Sequence, residues 1–249
     1  MYDKKVKNRI QQLESFLQQV ERLHLRDASE ILNVSEMTIR RDISNQTSIL
    51  LLGGYLFKAG TNKNNYFISD QKDKNLAEKM QIGKIAASLV NDGDVVFFDC
   101  GTTMPFIASQ ISNKIHFTAI CCSINTFMVL QEKRHCEIIL CGGIYSRDNA
   151  LLTSIQTQSI LDDVCTTKAF IATSGIDLYK GLTCFRFSEA QIKKKAMLKT
   201  KQKILLFDHS KINSVYPAYI GELNDFDIVI CDQQIPTDFK LDRDNFLTV

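Results

Sequence analysis

Asp99-Cys100-Gly101-Thr102-Thr103 follows an apolar run, contains a glycine and ends in two hydroxyl residues that open a helix. Free N–H groups at such a turn, joined by hydroxyls, offer a phosphate several donors at once. Other polar residues stand in equivalent places after other apolar runs. These are Ser123, Gly142 with Gly143, Gly175, and Asp208 with Lys211. In an open α/β sheet a ligand gathers outside the carboxyl ends of the strands, so these residues form one expected anion site. Lys193 and Lys211 are plausible partners for the anion, although Lys193-Lys194-Lys195 also reads as a solvated helix face. Gly142-Gly143 as a plain turn and Thr102 and Thr103 as helix caps are the competing readings. The pattern is neither a Walker loop nor a G-x-G-x-x-G turn, so no nucleotide or other cofactor is expected. Consecutive side chains at a strand end alternate in direction, so Asp208, His209 and Ser210 are not expected to form a triad, and no catalytic residue is assigned.

A second chemistry lies at residues 34–45. Ser35 can cap a helix that begins at Glu36, with Ile39 and Ile43 on one face. Met37, Arg41 and Ser44 then turn to the opposite side, with Thr38 and Arg40 on the flanks. A polar, cationic face of this kind suits a DNA groove, where arginine meets phosphate or a base edge. Lys4, Lys5, Lys7 and Arg9 crowd the start of an earlier helix, and Lys5 is the candidate for phosphate contact. The case rests on placement, because residues 1–57 hold eight Lys or Arg against seven Asp or Glu and the whole chain carries only +2.

Three helices must position that face. Val6, Ile10, Leu13, Leu17 and Val20 form an apolar stripe able to pack on Leu32, Ile39 and Ile43. A short helix capped by Asp27 closes at Asn33, which tolerates the left-handed conformation of a tight turn. Ile49–Leu52 and Tyr55–Phe57 flank Gly53-Gly54 as a hairpin, completing a winged helix-turn-helix over residues 1–57. Residues 58–75 read as a linker, and residues 76–249 alternate helices with near-continuous apolar strands, the pattern of a covered, largely parallel α/β sheet.

Eight cysteines mostly sit within apolar runs and are expected to be reduced core residues. Neither C-x-x-C nor H-x-x-x-H spacing occurs, so no metal is expected. No run of about 18 apolar residues and no signal segment appears, which points to a cytoplasmic protein without a membrane partner.

The stretch HLRDASEILNVSEMTIRRDI, followed by LLLGGY, resembles the DNA-binding domain of DeoR-type bacterial repressors, whose pattern runs V-S-x-x-T-I-R-R-D-L and ends in G-G. Asn33 stands where such turns commonly carry Gly, and Tyr55 where the family often has Ala. The second half is similar to the family's sensor domain, which resembles ribose 5-phosphate isomerase and related sugar-phosphate enzymes. D-C-G-T-T at 99–103, C-G-G at 141–143, Gly175 and Gly181, Glu189 to Met197 with Lys193, and D-H-S-K at 208–211 carry that likeness. Cys121-Cys122-Ser123 replaces the Thr-Asn-Ser of many members. The resemblance implies a repressor that leaves double-stranded operator DNA when a sugar phosphate binds. Ser35–Thr38, Ser69–Lys72, Phe97–Cys100 and Thr183–Phe185 resemble members that govern deoxyribonucleoside and deoxyribose catabolism, which implies deoxyribose 5-phosphate as effector. A single winged domain grips too little DNA, so a homo-oligomer is expected. The alternative is a sugar-phosphate isomerase or deaminase-like enzyme carrying a DNA module, with Asp99 or Asp208 as general base.

Overall fold

Apolar spacing, caps and turns divide the chain into two units, Met1–Tyr66 and Phe67–Val249. The computed structural model describes residues 2–20, 23–43, 48–52, 55–58, 75–146, 149–155, 159–239 and 246–248. Ser44, the Gly53-Gly54 turn and residues 59–74 of the expected linker lie outside the described residues.

The N-terminal unit contains α1 (Tyr2–Gln19), β1 (Leu23–His24), α2 (Leu25–Leu32), α3 (Glu36–Ile43), β2 (Ile49–Leu52) and β3 (Tyr55–Lys58). β2 and β3 pair antiparallel as the expected hairpin, and β1 adds a short edge to β3 with Leu23 opposite Leu56. Leu13, Leu17, Leu25, Ala28, Ile39, Ile43, Ile49 and Leu56 form the core. Each buried Leu or Ile contributes about 1.5–3 kcal/mol. Val20, expected in that stripe, lies past the end of α1 and is 45% exposed.

α2 begins three residues earlier than a cap at Asp27 would set it. His24 is the extended N-cap, and its Nδ1 accepts from the Arg26 N–H at 3.2 Å. The difference follows from Leu25, which the core buries. Asn33 closes α2 in the left-handed region at φ 49°. Ser35 Oγ accepts the Thr38 N–H at 3.2 Å, the expected cap of α3. A further contact holds α3 in place, for Arg9 Nε donates to Asp42 Oδ2 at 2.6 Å. Asp42 is buried on the inward face of α3, so Arg9 belongs to the packing of α1 on α3 rather than to an exposed cationic cluster.

The second unit is built on seven strands: β4 (Val95–Phe98), β5 (Phe117–Cys121), β6 (Cys136–Leu140), β9 (Thr166–Ala172), β12 (Thr200–Phe207), β14 (Ile228–Cys231) and β15 (Phe246–Thr248). They lie in the order β15-β14-β12-β9-β4-β5-β6, and every neighbouring pair is parallel. Both faces are covered, which is why the strands read as unbroken apolar runs. Val96, Phe98, Phe170 and Leu206 pack under α4 (Leu76–Ser88), α5 (Met104–Gln110) and α6 (Ile124–Leu130). Phe97, Ile171, Leu205 and Val229 face α7 (Phe187–Leu198) and a three-stranded antiparallel sheet of β10 (Gly175–Asp177), β11 (Gly181–Cys184) and β13 (Ala218–Gly221). That small sheet and the hairpin of β7 (Ile144–Ser146) and β8 (Leu151–Thr153) are additions that periodicity did not announce. Their strands have only three or four residues, too few for an alternating pattern.

From β4 the chain runs through β5 and β6 on one side, then returns to place β9, β12, β14 and β15 on the other. The order therefore reverses between β4 and β9, and a crevice opens beyond their carboxyl ends. All eight cysteines are free; six are buried, Cys136 is half-buried and Cys165 is exposed. Among the described residues no helix is long and apolar enough to cross a membrane.

Removing one partner of a buried ion pair leaves the other charge uncompensated. Arg9→Ala should therefore destabilise the N-terminal unit by about 3 kcal/mol, read as a fall in its denaturant midpoint. Arg9→Lys should recover only part of the loss, because an ammonium lacks the planar guanidinium fork.

Candidate functional site

At the carboxyl end of β4 Asp99 is fully buried. Its Oδ1 accepts the Cys100 N–H at 2.6 Å, and its Oδ2 accepts the Ala172 N–H at 3.0 Å and an N–H from Lys193 Nζ. Lys193 also donates to the Ala172 carbonyl at 2.9 Å. Two strand ends and α7 are thus tied at one point. Burial pushes the Lys193 ammonium down; the Asp99 carboxylate, together with smaller contributions from neighbouring acidic groups that include Glu189, outweighs this and holds its pKa above the ordinary value. Lys193 is therefore not the solvated residue that a Lys-Lys-Lys run suggested. It is 3% exposed, whereas Lys194 lies over the Tyr219 ring and Lys195 pairs with Asp162 at 2.5 Å.

Above this knot lies a cavity of about 320 Å³. Of the residues expected at an anion site, Cys100, Gly101, Thr102, Thr103, Lys193, Asp208 and Lys211 line it. Gly101 permits a close approach, since a Cβ there would meet the Ala172 Cβ at 2.5 Å. The structure places the other expected residues elsewhere. Asp99 lies beneath the cavity as the anchor of Lys193. Ser123 is buried and bridges to Leu151. Gly142 and Gly143 line a second cavity of about 760 Å³. Gly143 has φ 132°, and a Cβ would stand 1.9 Å from the Thr153 carbonyl, so a turn requirement explains it. Gly175 is confined by the Ser214 carbonyl, 2.2 Å from where its Cβ would be.

Several lining residues were not among those expected at an anion site. Lys79 on α4, Arg186 before α7 and Glu189 on α7 bring charge to the wall, and Asn149 Nδ2 donates to Glu189 Oε1 at 2.6 Å. Phe185 and Tyr216 stack at 4.0 Å between ring centroids and supply an apolar side. Lys79 alone had a findable signal, for it lies on the inward face of a helix whose other buried positions are apolar or small.

Asp208 caps the 3-10 turn His209–Lys211. Its Oδ1 accepts from Asn75 Nδ2 at 2.6 Å, from the Ser210 N–H at 3.1 Å and from the Ser210 hydroxyl. Burial raises its pKa, but Ser210, Lys211, Asn75 and Lys79 outweigh that and hold the carboxyl below the usual range. Asp208 and Ser210 therefore do meet, contrary to the alternation argument, because the chain turns at the strand end instead of continuing. His209 is directed away, to Asp232 at 2.6 Å, so the three residues form no triad. Burial, aided by the Asp99 charge, pushes the Cys100 thiol well up and keeps it protonated. Lys79, Arg186, Lys193 and Lys211 outnumber Glu189 and Asp208 on the cavity wall, so the site favours an anion. Both carboxylates proposed as general bases are already engaged. Among the described residues no group of three His, Cys, Asp or Glu is placed to hold a metal.

On α3, Met37 is 70% exposed, Ser35, Glu36 and Arg41 are exposed, and Thr38 and Arg40 are half-buried. The Ser35 and Thr38 hydroxyls lie 2.9 Å apart within the cap. Lys5 is exposed on α1.

Residues 9–55 match the DeoR-like helix-turn-helix domain and residues 74–233 match the DeoR C terminal sensor domain. The chain belongs to the DeoR family. It is 44% identical to the deoxyribose operon repressor of Escherichia coli strain K12 over 225 residues, covering 90% of this chain and 89% of that one. It is 32% identical to the HTH-type transcriptional repressor GlcR of Bacillus subtilis strain 168, covering 88% and 85%. Among solved structures it resembles ribose 5-phosphate isomerase A from Methanocaldococcus jannaschii at 17% identity, covering 54% and 53% with a TM-score of 0.39. These DeoR-family relatives are transcriptional repressors, and with the helix-turn-helix unit this makes the chain a DNA-binding repressor rather than an enzyme.

The folded-state pKa of Asp208 lies below its unfolded value of about 3.9. Its contribution to stability is complete above that value and is lost as pH falls through the depressed one. Asp208→Asn should therefore flatten the acid limb of the stability curve below about pH 4, followed by circular dichroism.

Proposed function

We propose that this DeoR-family repressor holds operator DNA through paired copies of its N-terminal unit and releases it when deoxyribose 5-phosphate enters the 320 Å³ cavity. The observation that carries this reading is the cavity itself. It is cationic, sits at the reversal point of a parallel sheet, and is closed below by a buried lysine paired with the Asp99 carboxylate. The turn Gly101–Thr103 with Lys193 and Lys211 takes the phosphate. Glu189, steadied by Asn149, accepts from sugar hydroxyls, and the Phe185–Tyr216 wall covers the apolar side of the sugar. The 44% identity to the deoxyribose operon repressor supports this choice of sugar and the deoxyribonucleoside and deoxyribose catabolic genes as targets.

On the DNA side, Ser35, Glu36, Met37, Thr38, Arg40 and Arg41 are the residues assigned to the groove, and Lys5 meets phosphate. One module contacts few base pairs, so the working form is a homo-oligomer, acting in the cytoplasm.

Operator retention in a gel-shift assay should fall by about 5- to 150-fold at saturating deoxyribose 5-phosphate, the usual range of such coupling. Unchanged retention refutes the effector. Arg41→Ala should cost about 1–3 kcal/mol and relax base preference if the guanidinium reads a base, whereas Lys5→Ala should weaken all sequences alike. In a calorimetric titration Glu189→Gln should weaken deoxyribose 5-phosphate about tenfold, one hydrogen bond to a charged group, and leave inorganic phosphate no weaker.

A further inference from the structure

α4 starts in an unusual way. An Asn at an N-cap ordinarily takes extended φ/ψ and turns its side-chain oxygen back to accept an N–H of the first helical turn. Asn75 does neither. It is left-handed at φ 56°, ψ 45°, and makes no side-chain cap bond. Its amide nitrogen instead reaches across 133 positions of sequence to Asp208 Oδ1 at 2.6 Å and to Ser210 Oγ at 3.1 Å. The start of α4 is thus held by the end of β12 rather than by its own cap. One turn on, Lys79 is 1% exposed and lines the cavity, as do Asp208 and Lys211. The residues before Asn75 lead in sequence to the N-terminal unit.

We infer that Asn75 is a positioning residue with two states, docked on Asp208 without ligand and capping α4 when an anion fills the cavity, and that this exchange resets the chain leading to the DNA-binding unit. The inference rests on the effector reading above. An arriving phosphate seeks the same cations, Lys79 and Lys211, that steady the Asp208 carboxylate, and it places a second negative charge beside it. The amide knot of Asn75, Asp208 and Ser210 is the exposed end of that network and gives way first. Asn75 then loses nothing by leaving, because extended φ/ψ relieves the left-handed backbone and its oxygen satisfies an N–H that now has no cap. Both states are chemically sensible for asparagine, the condition a switch element must meet.

The test compares the full-length wild type with Asn75→Asp and Asn75→Gly. Asp caps a helix well and repels Asp208; Gly accepts the left-handed conformation and has no amide. Operator affinity without ligand should fall about tenfold in Asn75→Asp, towards the value of the wild type saturated with deoxyribose 5-phosphate, with less than about a twofold further fall on adding that ligand. Asn75→Gly should still bind the ligand but show a coupling factor reduced about tenfold. Amide hydrogen exchange of the wild type reads the same event without substitution: residues 76–79 should change protection when the ligand binds. Wild-type responses from both variants, or exchange at 76–79 that ignores bound ligand, overturn the inference while leaving the effector reading intact. A wild type that neither binds deoxyribose 5-phosphate nor releases DNA with it overturns both.

Discussion

The contact of Lys193 with Asp99 is the constraint on which the sensor unit turns. Bringing an ammonium and a carboxylate out of water costs several kcal/mol per ion, and only complete pairing offsets that. The pairing is complete on the carboxylate side. Both Asp99 oxygens accept backbone N–H groups, and the second also takes Lys193. Because those partners belong to β4, β9 and α7, the pair fixes three elements at the reversal point of the sheet, and the cavity inherits its floor from them. An apolar pair of similar volume would pack as well. It would leave the cavity without the positive charge that distinguishes this floor from ordinary core.

The same bookkeeping of charge separates binding from catalysis. General acid-base work needs a carboxyl group able to gain and lose a proton near the operating pH. Asp208 is held ionised by Asn75, Ser210 and nearby lysines, and Asp99 is consumed by Lys193. Cys100, a thiol on the cavity wall, is kept protonated by burial. What remains available is a set of cations, hydroxyls and turn N–H groups, which suits the proposed role of holding an anion without transforming it. The identity of the relatives agrees with that reading of the geometry.

Much of this was legible in the chain. The parallel sheet could be read because each strand, covered on both faces, is a single apolar run, and α3 because Ser35, Ile39 and Ile43 mark its cap and inner face. Position after a strand selected Gly101–Thr103, Asp208 and Lys211, but it equally selected Gly142, Gly143 and Ser123, whose strands lie further along the sheet. Strand order is a long-range property, and only it tells which strand ends border the crevice. Arg186 and Asn149 were illegible for a related reason: they come from the segment before α7 and the β7–β8 turn, which meet only in the fold. Lys193 was legible as a candidate, yet its neighbours Lys194 and Lys195 made it look solvated. No local pattern reveals an Asp 94 positions away.

The N-terminal unit repeats the logic on a smaller scale. Asp42 sits in the Arg-Arg-Asp-Ile run of α3 as if it were a third charge on the outward face, but Arg9 draws it inward. That pairing fixes the rotation of α3 about its axis, so Glu36 and Met37 in its first turn and Arg41 in its last are left exposed. Ser35 and Thr38 spend their hydroxyls on each other and on the cap. In the proposed role they therefore set the entry of α3 into the groove, while base discrimination falls to Arg41, with Met37 offering an apolar surface to a thymine methyl. In this unit the tasks separate by residue: the buried Arg9–Asp42 pair sets geometry, and exposed Arg41 is the charge left for the proposed contact with DNA.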